Sequence, residues 1–113
     1  MGQVNYAAGK AGIIGVTKTL SKEWGLFNIQ VNAVAFGMID TRLTQADEKG
    51  DFTEREGKRI KLGIPDQKRQ MAAMLIPAGR AGTVEEAAGP VLFFASPLSN
   101  YVSGQVVEVT GGL

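Results

Sequence analysis

Tyr6 and Lys10 stand four residues apart in the stretch Asn5-Tyr-Ala-Ala-Gly-Lys-Ala-Gly. On a helix that spacing stacks the two side chains on one face. An ammonium beside a phenol favours the phenolate, which fits a tyrosine for general acid or base work. The same residues also suit a plainer arrangement, a tyrosine packed at a helix start with a solvated lysine beside it. Composition narrows the chemistry further. The 113-residue chain has no cysteine and no histidine, so disulfides, cysteine–histidine zinc sites, thiol nucleophiles and a Ser-His-Asp triad are excluded. Proton transfer must fall to Tyr, Lys, Asp or Glu. The acids are scattered among lysines and arginines rather than grouped at ligand spacing, so no metal site is expected.

The elements that must hold this pair can be read from periodicity. Residues Tyr6 to Gly25 predict a helix with Ile13, Ile14, Leu20 and Trp24 as apolar positions and Gly25 as its C-cap. Ala8, Gly12 and Gly15 run along one flank of it, where another backbone can approach closely. Each glycine costs a helix about 1 kcal/mol relative to alanine, so this helix is expected to be covered by neighbours. Asn28 to Phe36 predicts a strand ending at Gly37, apolar enough at its end to be buried on both faces, as in a parallel sheet. A helix leading into such a strand is half of a crossover unit.

From Asp40 to about Arg80 charge is concentrated, and residues 42–80 predict an exposed excursion broken by Gly50, Gly57, Gly63 and Pro65, with a short helix at Gln67 to Leu75. Its cations Lys58, Arg59, Lys61, Lys68 and Arg69 predict a solvated face, or alternatively a dock for an acidic partner. Thr83 and Glu86 have capping-box spacing and open a second helix with Ala87, Val91, Phe94 and Ala95 on its apolar side. Gln105 to Val109 predicts a short strand running into Gly111 and Gly112. The fold class expected is therefore α/β in a single domain over residues 1–113.

Five blocks in order resemble the short-chain dehydrogenases/reductases. They are the Tyr6–Lys10 block, Ile29-Gln-Val-Asn-Ala-Val with Gly37 and Asp40-Thr41, Pro77-Ala-Gly-Arg-Ala-Gly with Glu85-Glu86, Tyr101-Val-Ser-Gly-Gln, and Gly111-Gly112. The look is closest to the 3-oxoacyl-(acyl-carrier-protein) reductase-like members. The resemblance implies the C-terminal portion of a Rossmann-type parallel sheet. It makes Tyr6 the acid/base at the substrate carbonyl and gives Lys10 the nicotinamide ribose hydroxyls, so that both touch cofactor. Gly37, Ile39 and Thr41 would meet the nicotinamide carboxamide of NAD or NADP. Two departures stand out: Phe36 where the family usually has proline, and Thr110 where it often has aspartate before the glycine pair.

The family's Gly-rich phosphate turn and its substrate-orienting serine lie before the tyrosine block, and the 113 residues contain neither. The N-terminal βαβ half is thus expected to be absent. An NAD(P)-dependent fragment acting between ketone and secondary alcohol is expected to bind no cofactor and to be inactive in isolation. The alternative expectation is a non-catalytic interaction fragment that pairs with itself or with a full-length relative. Either way a homo-oligomer is expected, formed through the small-residue flank or the final strand. The near-balance of 12 Lys and Arg against 11 Asp and Glu gives no general attraction to nucleic acid or membranes, and a cytoplasmic location is expected.

Overall fold

The computed structural model describes residues 3–42, 44, 52–55, 57–61 and 65–113. In chain order the elements are helix α1 (Val4–Trp24), a 3-10 turn (Gly25–Phe27), strands β1 (Ala33–Phe36), β2 (Phe52–Arg55) and β3 (Lys58–Lys61), helices α2 (Asp66–Met74) and α3 (Val84–Phe94), a second 3-10 turn (Pro97–Ser99) and strand β4 (Val106–Val109). They pack as two compact units, Met1–Ala35 with Ala88–Val109, and Phe36–Ala87 with Thr110–Leu113.

In the first unit β1 lies beside β4. Gly104 N–H donates to Val31 O at 2.7 Å and Ala33 N–H to Gln105 O at 2.9 Å, steps that ascend both segments together and so define a parallel ladder. The expected α/β class with a parallel pair is present. The strand is shorter than expected, because side chains occupy its first ladder positions. Ser103 Oγ accepts Val31 N–H at 3.1 Å, while the Asn32 amide donates to Val102 O at 2.8 Å and accepts Gln105 N–H at 3.1 Å. Nor is the strand buried on both faces: Ala33 and Val34 are half-buried, and Ala35 and Phe36 are exposed.

Helix α1 ends with Gly25 as its C-cap, as expected, though the chain is turned further on. Gly25 stays right-handed at φ −55° and leads into the 3-10 turn, so the left-handed residue that stops the chain is Asn28 at φ 58°. An asparagine tolerates that conformation where most side chains do not. Within this chain α1 keeps its small-residue flank open. Its one buried residue is Thr17, whose hydroxyl bonds Ile13 O at 2.8 Å, and no atom lies within 4 Å of where a Cβ would stand on Gly9, Gly12 or Gly15. The Tyr101–Gly104 turn does reach the helix: a Cβ on Gly104, at φ +72°, would stand 2.6 Å from Ser21 Oγ.

The second unit forms around the turn that carries Ile76, which is buried at 4% exposure. Ala78 N–H donates to Gly111 O at 3.0 Å, and a Cβ on Gly111 would stand 2.7 Å from Ile76 Cγ2. The Gly111-Gly112 pair is thus explained by left-handed backbone and close approach, with φ of 69° and 96°. Within the predicted excursion the short helix is present as α2. The antiparallel hairpin β2–β3, registered Phe52 to Lys61 and Arg55 to Lys58, was not expected; its turn includes Gly57 at φ 74°. Gly50 and Gly63 lie outside the described residues.

Candidate active site

Tyr6 and Lys10 sit on the first and second turns of α1, and the stacking expected from their spacing is present. Lys10 Nζ lies 5.2 Å from the Tyr6 ring centroid, within cation–π reach, and Tyr6 is 65% exposed. The tyrosine is thus accessible and its cationic neighbour is on the same face. The α-helix, with about 3.6 residues per turn, sets that separation from the backbone alone.

Gly37, Ile39 and Thr41 fall together on the segment that leaves β1, in the second unit. Gly37 is needed there for space, since a Cβ would meet Thr110 Cα at 3.0 Å. Ile39 forms a parallel bridge with Gly82, in which Asp40 N–H donates to Gly82 O at 2.8 Å and Gly82 N–H to Met38 O at 2.9 Å. Those bonds use the neighbours' groups, so the N–H and C=O of Ile39 itself face away from Gly82. Thr44 folds the segment over: its hydroxyl lies 3.1 Å from Ile39 O and 2.9 Å from Thr41 O, and accepts Thr41 N–H at 2.8 Å. The Tyr6–Lys10 pair belongs to the first unit and the Gly37–Thr41 segment to the second.

The capping box at α3 is reciprocal. Glu86 N–H donates to Thr83 Oγ1 at 3.1 Å and Thr83 N–H to Glu86 Oε2 at 2.9 Å. Arg80 adds a two-pronged contact to the same carboxylate, at 2.8 and 2.7 Å. The Arg80 hydrogen bonds and the Thr83 N–H hold the Glu86 carboxyl at about 2, below its ordinary 4.5, and Glu86 in turn raises Arg80. This explains the Pro77-Ala-Gly-Arg block and Glu86 structurally, as a clamp on the start of α3.

One residue contradicts the solvated-face reading. Arg69 is 23% exposed at its side chain and its Nη2 lies 2.6 Å from Asp40 Oδ1, with Asp66 Oδ1 at 3.5 Å from Nη1. The Asp40 acid and Arg69 were not singled out as a pair from sequence, because 29 residues separate them and no periodicity connects them. Asn32, read only as a member of the predicted strand, stitches that strand to the Val102–Gln105 segment. Among the described residues no group of three or more acids could hold a metal ion, and no helix is long and apolar enough to cross a membrane.

A family model described as enoyl-(acyl carrier protein) reductase matches residues 1–113. The chain is 46% identical over 112 residues to the 3-oxoacyl-(acyl-carrier-protein) reductase FabG of Thermotoga maritima, 45% identical over 112 to that of Chlamydia muridarum and 42% identical over 113 to that of Aquifex aeolicus. These matches cover 99%, 99% and 100% of this chain, but only 39%, 38% and 39% of the respective relatives. The chain therefore spans well under half the length of the relatives it matches.

Proposed function

The chain belongs to the short-chain dehydrogenases/reductases, and on that premise we propose that it forms the proton-transfer and carboxamide-binding part of an NAD(P)-dependent oxidoreductase that interconverts a 3-oxoacyl ketone and its secondary alcohol. The observation that carries the reading is the Tyr6–Lys10 pair, exposed on one face of α1 with the ammonium over the phenol ring. When bound, the nicotinamide cofactor supplies the hydride to the carbonyl carbon. Tyr6 gives its phenolic proton to the carbonyl oxygen as negative charge develops there, and takes the proton back in the alcohol-oxidising direction. Lys10, its ammonium over the Tyr6 ring, is the cation proposed to reach the ribose hydroxyls.

The Gly37–Thr41 segment fits a carboxamide in its donor set. Ile39 turns an N–H and a C=O to the side away from Gly82, and Thr41 adds a hydroxyl. A carboxamide needs both a donor and an acceptor, and Ile39 offers its N–H together with the carbonyl lone pair that the Thr44 hydroxyl leaves open. Phe36 in place of proline leaves the approach to Gly37 less constrained in φ, which is expected to weaken carboxamide binding rather than remove it.

The substrate proposed is an acyl group on an acyl carrier protein, after the names borne by the relatives, and the assembly proposed is a homo-oligomer. The 113 residues by themselves are proposed to turn nothing over, since no Gly-rich strand–helix turn lies among them. A non-catalytic reading is favoured by one observation: Val4, Ile13, Ile14, Val16 and Trp24 of α1 are all exposed, a surface suited to pairing with a second copy or a full-length relative. A stable monomer in sedimentation, with no capture of a full-length relative, would remove that reading.

The enzyme reading is tested by fusing the chain behind the portion of the Thermotoga maritima relative that precedes the matched stretch. The fused protein is expected to oxidise NADPH or NADH with a 3-oxoacyl thioester and the 113 residues alone are not. Turnover of an enoyl thioester in preference to the 3-oxoacyl one would reassign the reduced bond from C=O to C=C, and turnover by the 113 residues alone would refute the claim that more of the protein is required.

A further inference from the structure

The stretch Met38–Thr41 is held by three ties, and they differ in kind. The first is the backbone bridge to Gly82 and the second is the Thr44 hydroxyl folded onto Ile39 and Thr41. The third is a side-chain contact from a different element: Arg69 on α2 reaches Asp40 at 2.6 Å. Asp40 lies between Ile39 and Thr41 in sequence, so whatever moves its carboxylate moves the residues on either side.

The pair lines a cleft of about 380 Å³ whose other polar walls include Asp66, Gln70, Arg80 and Thr83. Its setting makes it a poor stabiliser. Arg69 is largely shielded, yet its Nε is buried with no hydrogen-bond partner, and an unmatched buried donor opposes folding. A partly exposed ion pair is weak support for stability in any case, because solvent screens much of the attraction; a better-attested use of such pairs is to select one geometry over others. Arg80 is occupied elsewhere, clamped two-pronged on Glu86, so Arg69 is the guanidinium of this cleft that engages Asp40.

We propose that Arg69 is a positioning residue: through Asp40 it fixes the Ile39–Thr41 backbone, so that docking of α2 and recognition of the nicotinamide carboxamide are coupled. The inference rests on the oxidoreductase reading above for its second half only. The coupling of α2 to the segment is a property of the chain itself and can be measured separately.

The test has two arms, with Arg69→Gln, Asp40→Asn and the double variant. In hydrogen exchange on the 113-residue chain, each single change is expected to speed the Asp40 and Thr41 amides about fivefold, the upper range for a partly exposed pair, while Thr83 and Glu86 amides are unaffected. The double variant should be no faster than either single one, since one contact is lost in all three. Unchanged exchange, a uniform rise across Thr83 and Glu86 as well, or multiplying effects in the double variant would each overturn the coupling. In the fused protein, KM for NADPH or NADH should rise in Arg69→Gln by a larger factor than kcat falls, with partial return in Arg69→Lys. Altered exchange with unaltered KM would overturn the positioning role. A fused parent with no turnover on either dinucleotide would instead sink the oxidoreductase reading, leaving the exchange result to decide the coupling.

Discussion

At Glu86 a single carboxylate receives both prongs of Arg80 and the N–H of Thr83, and these contacts hold its pKa at about 2 against an ordinary 4.5. A folded-state pKa below the unfolded one means the contribution is fully present above pH 4.5 and is lost as pH falls through about 2. Carbon-detected titration of Glu86 should therefore give a midpoint of about 2. A midpoint at the ordinary value would show the clamp to be open in solution. Gly111 makes a second prediction of this scale. Its φ of 69° disfavours any side chain, and a Cβ would press within 2.7 Å of Ile76 Cγ2. Gly111→Ala should cost about 1–3 kcal/mol in thermal or denaturant unfolding. A neutral substitution would mean that the Ile76 turn does not pack against the terminal glycines.

Among the elements, α1 is the one whose sequence and surroundings disagree most. Its small-residue flank is uncovered, with open space around Gly12. Gly12→Ala should then stabilise the isolated helix by about 1 kcal/mol, read as a higher melting temperature. If a second copy or a relative uses that flank, the same change should weaken association in sedimentation. Stabilisation with association intact would rule the flank out as a contact. How much of each element was legible follows from which forces placed it. The capping box at Thr83 and Glu86 is local, so spacing found it, and α2 and β4 were found within a residue or so by breakers and valine content. The end of α1 at Gly25 was read from the glycine itself, but the 3-10 turn beyond it and its left-handed stop at Asn28 were not. The strand before Gly37 was read too long because Ser103 and Asn32 side chains stand in for ladder bonds, a long-range substitution that periodicity does not encode. The β2–β3 hairpin was missed in a charged stretch that alternates no apolar residues.

For the molecule as a whole, the family was legible where single residues were not. Tyr6 and Lys10 alone are a four-residue spacing; the blocks at Gly37, Pro77, Tyr101 and Gly111 behind them made the resemblance specific, and the relatives at 42–46% identity agree with it. The Asp40–Arg69 pair stayed invisible because its partners are brought together only by the tertiary fold. Matching 38–39% of each of those relatives, the chain is proposed to supply the proton donor and a carboxamide-binding stretch of a reductase, and the unmatched portion of those relatives the rest. That division of labour places the whole account on one phenolic proton. The most direct measurement is reduction of a 3-oxoacyl thioester by the fused protein with Tyr6 intact and with Tyr6→Phe. The account predicts a fall of at least about a hundredfold in kcat on loss of the hydroxyl, with the fold retained by circular dichroism. Turnover by Tyr6→Phe at the parental rate would contradict it.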